Sequence, residues 1–224
     1  MKTMATKTRR IILAPWQLAA LAEGRLGCVV VPMKRQPDWK GETHPFIIGP
    51  KIDIRDGIAG MYAIGGSLMP EMGTVRCPFA PGDVLFVAEA WRSGAEWDTE
   101  KPNEIDPLIC SDVWYEADEG PPTGIVAQAW GKLRPATTMP AWAARHRLKV
   151  LGVESRRVQS VTEDEAKACG CIAGNGSPEA GPGTEAEASW PATADFEQGW
   201  VDRYGGKFPF DTSWAWFVKV EVVA

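Results

Sequence analysis

The chain has 224 residues, enough for one large domain or two small ones around a buried core. Its 45% hydrophobic and 24% charged residues are ordinary globular values and exclude wholesale disorder, collagen and coiled-coil architectures. A net charge of −5 argues against a general nucleic-acid-coating protein, although that charge is unevenly spread.

In chain order, Ile11–Leu13 predicts a strand. Pro15 then opens a helix through Leu21 and Ala22, with Gly24 at its C-terminal cap. Cys28–Val31 is a β-branched run closed by Pro32 and predicts a buried strand. From Gln36 to Pro81 the sequence is loop-like, with weak strand signals at Phe46–Ile48 and Met61–Ile64. Gly82-Asp83 turns the chain into Val84–Arg92, the clearest strand. Residues 93–109 read as a polar insertion, and Asp112–Ala117 with Gly124–Ala127 as a hairpin around Glu119–Pro122. Met139–Arg145 predicts one helical turn leading into a strand from Leu148 to Val153, with alternation continuing to Val158.

Thr162 is an N-cap, with carboxylates in the first turn of a helix that ends at Gly170. Residues 171–194, rich in Gly, Pro, Ser and Glu, predict a flexible loop. Asp195–Tyr204 predicts a short helix and Trp214–Val223 the last strand. These elements suggest an α+β fold built on a small mixed barrel.

Charge and composition then narrow the chemistry. Residues 1–40 hold eight Lys and Arg (Lys2, Lys7, Arg9, Arg10, Arg25, Lys34, Arg35, Lys40) against only Glu23 and Asp38. A second basic run is Arg145-His146-Arg147-Leu148-Lys149, followed by Arg156-Arg157. Five cysteines, at 28, 77, 110, 169 and 171, show no CxxC spacing and accompany only two histidines, His44 and His146. No metal site or cofactor is therefore expected, and the cysteines read as small apolar residues of a reducing, cytoplasmic compartment. No apolar run approaches the ~20 residues of a membrane span, so no membrane partner is expected.

Four blocks together resemble the ASCH domain, a branch of the PUA-like superfamily, in the form commonly carried by phages and prophages. They are Glu23-Gly24-Arg25 with Lys34-Arg35-Gln36-Pro37; Cys77-Pro78-Phe79 with Pro81-Gly82-Asp83 through Trp91; Arg134-Pro135 through Arg145, followed by Val161–Ala166; and Phe196, Trp200, Tyr204-Gly205 with Asp211–Trp216. The resemblance covers nearly the whole chain in the right order. It implies a single domain over 1–224, a PUA-like barrel with flanking helices and loop insertions near 36–81, 93–109 and 171–194. It further implies a cleft for RNA, single-stranded nucleic acid or a modified nucleoside.

Some small ASCH proteins are amidohydrolases acting on N4-acetylcytidine through a Lys, a Thr three residues later and a helical Glu. Matching the blocks puts Leu26, Val29 and Cys169 at those positions. Leu and Val have no proton to transfer, so that mechanism is not expected to run here. Cys169 reads either as a nucleophile or as a small residue near a helix end.

The candidate ligand residues are Arg25, Glu89, Trp91 and Arg92. Glu89 and Trp91 would share a strand face, the carboxylate on a base edge and the ring stacked on the base. The alternative for Glu89 is a salt bridge to a neighbouring Arg. Arg25 offers a phosphate or carboxylate contact, or ordinary helix capping. Lys34, Arg35, Arg145, Arg147 and Lys149 would contact phosphates or stay simply solvated.

Among the 11 tryptophans, Trp142, Trp200, Trp214 and Trp216 sit in patterned apolar segments and read as core. Trp39, Trp97 and Trp190 lie in polar loops, where a ring is free to stack on a ligand or partner. The leading expectation is a nucleic-acid or modified-nucleotide binding protein. A diverged hydrolase using Glu89, with Cys169 or Asp211, and a phage factor that binds a host protein stand as alternatives.

Overall fold

The computed structural model describes residues 7–34, 36, 51–55, 58–62, 77–110, 112–118, 130–174 and 190–223. Five strands form one mixed sheet in the order β1 (Thr8–Ile11), β5 (Val84–Val87), β8 (Arg147–Arg157), β9 (Trp214–Val223), β2 (Cys28–Pro32), and two further pairs, β3 (Lys51–Arg55) with β4 (Ile58–Tyr62) and β6 (Trp91–Arg92) with β7 (Trp114–Tyr115), form small antiparallel sheets. The fold is α+β as expected, but the large sheet is open. Its end strands, β1 and β2, are not paired with each other, so the expected barrel is corrected to an open sheet. The chain divides into two compact units, one comprising Met1–Leu18, Asp83–Lys149 and Val222–Ala224, the other Ala19–Gly82 and Val150–Glu221.

In the first unit, β1 (Thr8–Ile11) runs parallel to β5 (Val84–Val87), with Arg10 opposite Phe86. On its other side β5 pairs antiparallel with the start of β8 (Arg147–Arg157), Leu85 lying opposite Leu148. Leu85, Val87 and Leu148 are fully buried, as the apolar run at 84–87 requires. Asp83 fixes the start of β5 by accepting from the Lys7 backbone N–H at 3.1 Å and Arg9 Nε at 3.2 Å.

The expected single strand Val84–Arg92 is broken at 88–90. The Ala88 N–H donates to the Ile11 carbonyl at 2.8 Å, after which β6 (Trp91–Arg92) pairs with β7 (Trp114–Tyr115). Different partners for its two halves bend the chain. Glu89 therefore lies in the link between strands, and it does not share a regular strand face with Trp91. The second arm of the hairpin expected around Glu119–Pro122 lies outside the described residues.

Packed together in this unit are Phe86, Ala88, Trp91, Ile105, Cys110, Met139 and Ala143. Residues 93–109 are thus more than a polar insertion, because Ile105 belongs to this core and a 3-10 turn at Ala95–Trp97 packs Trp97 against it. The turn expected within Met139–Arg145 is a 3-10 turn at Ala141–Ala143.

Helix α1 (Pro15–Ala22) ends as its sequence predicts. Gly24 has φ +73°, and the Gly24 and Arg25 N–H groups donate to the carbonyls of Leu21 and Ala20. In the second unit, β2 (Cys28–Pro32) pairs antiparallel with β9 (Trp214–Val223), Val29 opposite Val218 and Val31 opposite Trp216. The segment read as loop-like contains the hairpin of β3 (Lys51–Arg55) and β4 (Ile58–Tyr62), so the strand signal at Met61 is real and starts earlier. Phe46–Ile48 lies outside the described residues.

Helix α2 (Glu163–Ala168) carries a full capping box: Thr162 accepts from the Glu165 N–H and Glu165 accepts from the Thr162 N–H. Helix α3 (Ala192–Tyr204) starts three residues before the expected Asp195, directly after Pro191. Its buried stripe is Ala192, Phe196 and Trp200, and the Trp200 indole N–H donates to the Phe208 carbonyl at 2.8 Å. The Glu163 carboxylate accepts from the first N–H groups of α3, Ala192 at 2.9 Å and Thr193 at 3.2 Å. These bonds, the one from Ala192 first, hold the Glu163 carboxyl below its ordinary range. Among the described residues no helix is long and apolar enough to cross a membrane.

Candidate nucleic-acid interface

The site is built by β6 and β7 in the first unit. Their register sets Trp91 opposite Tyr115 and Arg92 opposite Trp114, so pleat alternation separates the two pairs onto opposite faces. On one face Trp91 is 0% exposed. It meets Trp142 edge to face, with ring centroids 6.2 Å apart, and the Arg134 guanidinium lies 5.6 Å from its ring. A ring so enclosed is a core ring and offers no face for a base in this conformation.

The other face is different. A bridge between Gly94 and Trp130 brings Trp130 beside the strand pair. Trp130 stacks on Trp114 with centroids 6.2 Å apart and planes 30° apart, and both rings are half-buried. Arg92 lies over the Trp130 ring at 5.6 Å and donates from Nη1 to the Gly131 carbonyl at 3.2 Å. Its Nη2 stands 3.6 Å from the Glu116 carboxylate, too long for a good hydrogen bond. Two partly exposed indoles with a guanidinium form a stacking ledge, the arrangement that holds unpaired bases.

Glu89 is 3% exposed and has found the neighbouring arginine that one reading anticipated. Arg145 donates from Nε to Oε1 at 2.9 Å and from Nη2 to Oε2 at 2.7 Å, a bidentate pair. Its third nitrogen, Nη1, donates to Asp118 at 2.6 Å, and its plane lies 4.2 Å from the Tyr115 ring centroid. Arg145 is held even more firmly protonated than usual, chiefly by the Glu89 bond. Burial pushes the Tyr115 phenol up, and its hydroxyl donates to the Ala143 carbonyl at 2.7 Å. The carboxylate thus orients Arg145, and Arg145 is the group left partly open, with 31% of its side chain exposed.

Of the expected site residues, Glu89, Trp91, Arg92 and Arg145 belong to this unit; Glu89 and Arg145 are bonded, while Trp91 and Arg92 lie on opposite faces of β6. Arg147 donates to the Ala141 carbonyl at 3.3 Å, and Lys149, one pleat further on, is exposed. Arg25 and Lys34 belong to the second unit. Arg25 donates to Glu23 at 2.6 Å and to the Gly170 carbonyl at 3.4 Å, while Lys34 is exposed. Arg35 and Trp39 lie outside the described residues.

Trp97 and Trp190 are half-buried rather than free in loops. Arg134 donates to the Trp97 carbonyl at 2.6 Å, and Gly174 to the Trp190 carbonyl at 2.7 Å. Trp200, Trp214 and Trp216 are buried as expected, and Trp142 packs against the core of its unit.

Sequence reasoning missed Trp114, Tyr115, Asp118 and Trp130. The signal was a Trp-Tyr pair within the expected hairpin, since two aromatics on a short strand demand cross-strand partners.

The three positions matched to the amidohydrolase pattern, Leu26, Val29 and Cys169, are all buried in the second unit. A hydrogen bond with Cys28, then burial, holds the Cys169 thiol well above its ordinary range, which is unlike a nucleophilic thiolate. Among the described residues no cluster of His, Cys, Asp or Glu is placed to hold a metal ion.

Comparison of the chain with known protein families, with characterised proteins and with solved structures finds no match.

Proposed function

We propose that this chain binds single-stranded nucleic acid or a modified nucleotide, as a phage-type relative of the ASCH and PUA-like proteins whose large sheet is open. The observation that carries the reading is the ledge of Trp114, Trp130 and Arg92 on one face of the β6–β7 pair. Stacking accepts any base, and the Arg92 guanidinium supplies positive charge at the ledge itself. The proposed likeness in fold rests on the four sequence blocks and the α+β elements they span. Both oxygens of Glu89 already accept from Arg145, which favours binding over a hydrolytic role for that carboxylate.

Fluorescence anisotropy of labelled oligouridylate and oligothymidylate at low salt tests the reading. Each base stacked on an indole contributes about 1–3 kcal/mol, so Trp114→Ala with Trp130→Ala should weaken binding at least about tenfold. Absence of binding to RNA, single-stranded DNA and modified nucleotides by the unaltered chain would end it.

A further inference from the structure

We infer that the ledge selects guanine: Glu116 accepts from the N1–H and N2–H groups of a base stacked on the indoles, while Arg92 donates to its O6. The inference rests on the binding reading above and deepens it, because it names the base at which a sequence-tolerant strand site becomes selective.

The side chains concerned belong to one face of the β6–β7 pair. Arg92 lies opposite Trp114, and the Glu116 N–H donates to the Ala90 carbonyl at 2.9 Å, which carries the pairing one step past β7. Alternation then sets Arg92, Trp114 and Glu116 on the same side, away from the buried Trp91. Arg92 joins them directly. Its guanidinium lies 5.6 Å from the Trp130 ring centroid, Trp130 stacks on Trp114, and its Nη2 stands 3.6 Å from Glu116 Oε2.

A carboxylate on this face works against phosphate and in favour of an N–H donor. Glu116 has 55% of its side chain exposed, and at 3.6 Å the arginine leaves its oxygens their acceptor capacity. Arg92 is similarly poised: Nη1 is committed to the Gly131 carbonyl at 3.2 Å, whereas among the described residues Nη2 has that long contact alone. A donor and an acceptor side by side on an aromatic ledge match the pairing edge of a stacked base, the edge by which unpaired bases are told apart.

The choice among bases follows from the two oxygens of the acid. Guanine alone sets two N–H donors next to each other, with a carbonyl alongside for the guanidinium. Uracil and thymine flank their single N–H with two carbonyls, which a carboxylate repels. Adenine and cytosine offer it one amino group.

The test measures, by fluorescence anisotropy, labelled uridylate 10-mers that carry guanosine, inosine, adenosine or uridine at one central position. Inosine keeps the N1–H and O6 of guanosine and lacks its N2 amino group. The chain should bind the guanosine 10-mer at least about fivefold more tightly than each of the other three. In Glu116→Gln and in Glu116→Ala that preference should shrink below about twofold, while the all-uridine 10-mer binds no more weakly than to the parent. Both substitutions leave the pairing at 116 in place, because its bond comes from the backbone N–H.

Equal binding of the guanosine and uridine 10-mers, equal binding of guanosine and inosine, or a preference that survives both substitutions would overturn the guanine assignment and leave the binding reading standing. No binding of any of the four 10-mers would overturn both.

Discussion

Arg145 meets both carboxylate oxygens of Glu89, at 2.9 and 2.7 Å, and the acid it covers is almost wholly buried while the base is not. The pair is therefore asymmetric. Removing the arginine strands a charge in the interior, whereas removing the acid leaves a cation with access to water.

Arg145→Ala should destabilise by roughly 2–4 kcal/mol, below the full range for a buried pair because the guanidinium is partly exposed. Glu89→Gln should cost less, roughly 1–2 kcal/mol, since an amide still accepts one bond. Arg145→Lys should recover little, having no fork to span two oxygens. Urea unfolding followed by tryptophan fluorescence reads all three. A loss below about 1 kcal/mol for Arg145→Ala would show that the pair is not structural.

Glu163 gives a pH dependence of defined sign. Its carboxyl lies below the ordinary 4.5 because the Ala192 N–H, the Thr193 N–H and Lys167 favour the charged form over a smaller opposing desolvation. A depressed carboxylate stabilises the fold fully above its unfolded value, and that contribution is lost as pH falls through the lower folded value. Glu163→Gln should therefore melt lower than the parent at neutral pH, and the difference should close as the pH falls below the ordinary carboxylate value and through the lower folded one. Thermal melts by circular dichroism check it, and a gap that stays constant with pH would count against the cap.

The thiols of Cys169 and Cys171 should resist alkylation in the native chain. Burial first, with Asp195 adding to it, pushes the Cys171 thiol up to about 12, and Cys169 is raised as well, so neither supplies thiolate at pH 8. Iodoacetamide followed by peptide mass mapping should leave both unlabelled until denaturant exposes the five cysteines. Rapid native labelling of either would contradict their environment.

The elements with strong local signals were legible in the sequence. Pro15 and Gly24 bound α1, Thr162 and Gly170 bound α2, and the alternation from Leu148 onward is β8. What the sequence did not yield was set by partners far along the chain. Val84–Arg92 reads as one strand because Val84, Phe86, Val87 and Trp91 favour extended backbone and no Gly or Pro interrupts the run, yet its halves pair with β1 and β8 on one side of the break and with β7 on the other. Closure of the sheet is likewise a long-range matter that no local pattern encodes. In the site, Glu89, Trp91 and Arg92 were visible as a block. Their division into a buried ring, an orienting acid and a ledge-forming base depends on Trp114, Tyr115 and Trp130, whose register only pairing decides.

The link between Val87 and Trp91 also governs which insertions and deletions the chain can accept. Since Trp91 faces the core and Arg92 the ledge, one residue more or fewer at 88–90 would exchange their faces, driving a guanidinium into the place of an indole and an indole out to water. Substitutions within the link act locally, at the Ala88 core contacts or the Glu89 pair. A change in its length would invert the site, so in any lineage carrying this fold the spacing from Val87 to Trp91 should vary less than the residues that fill it.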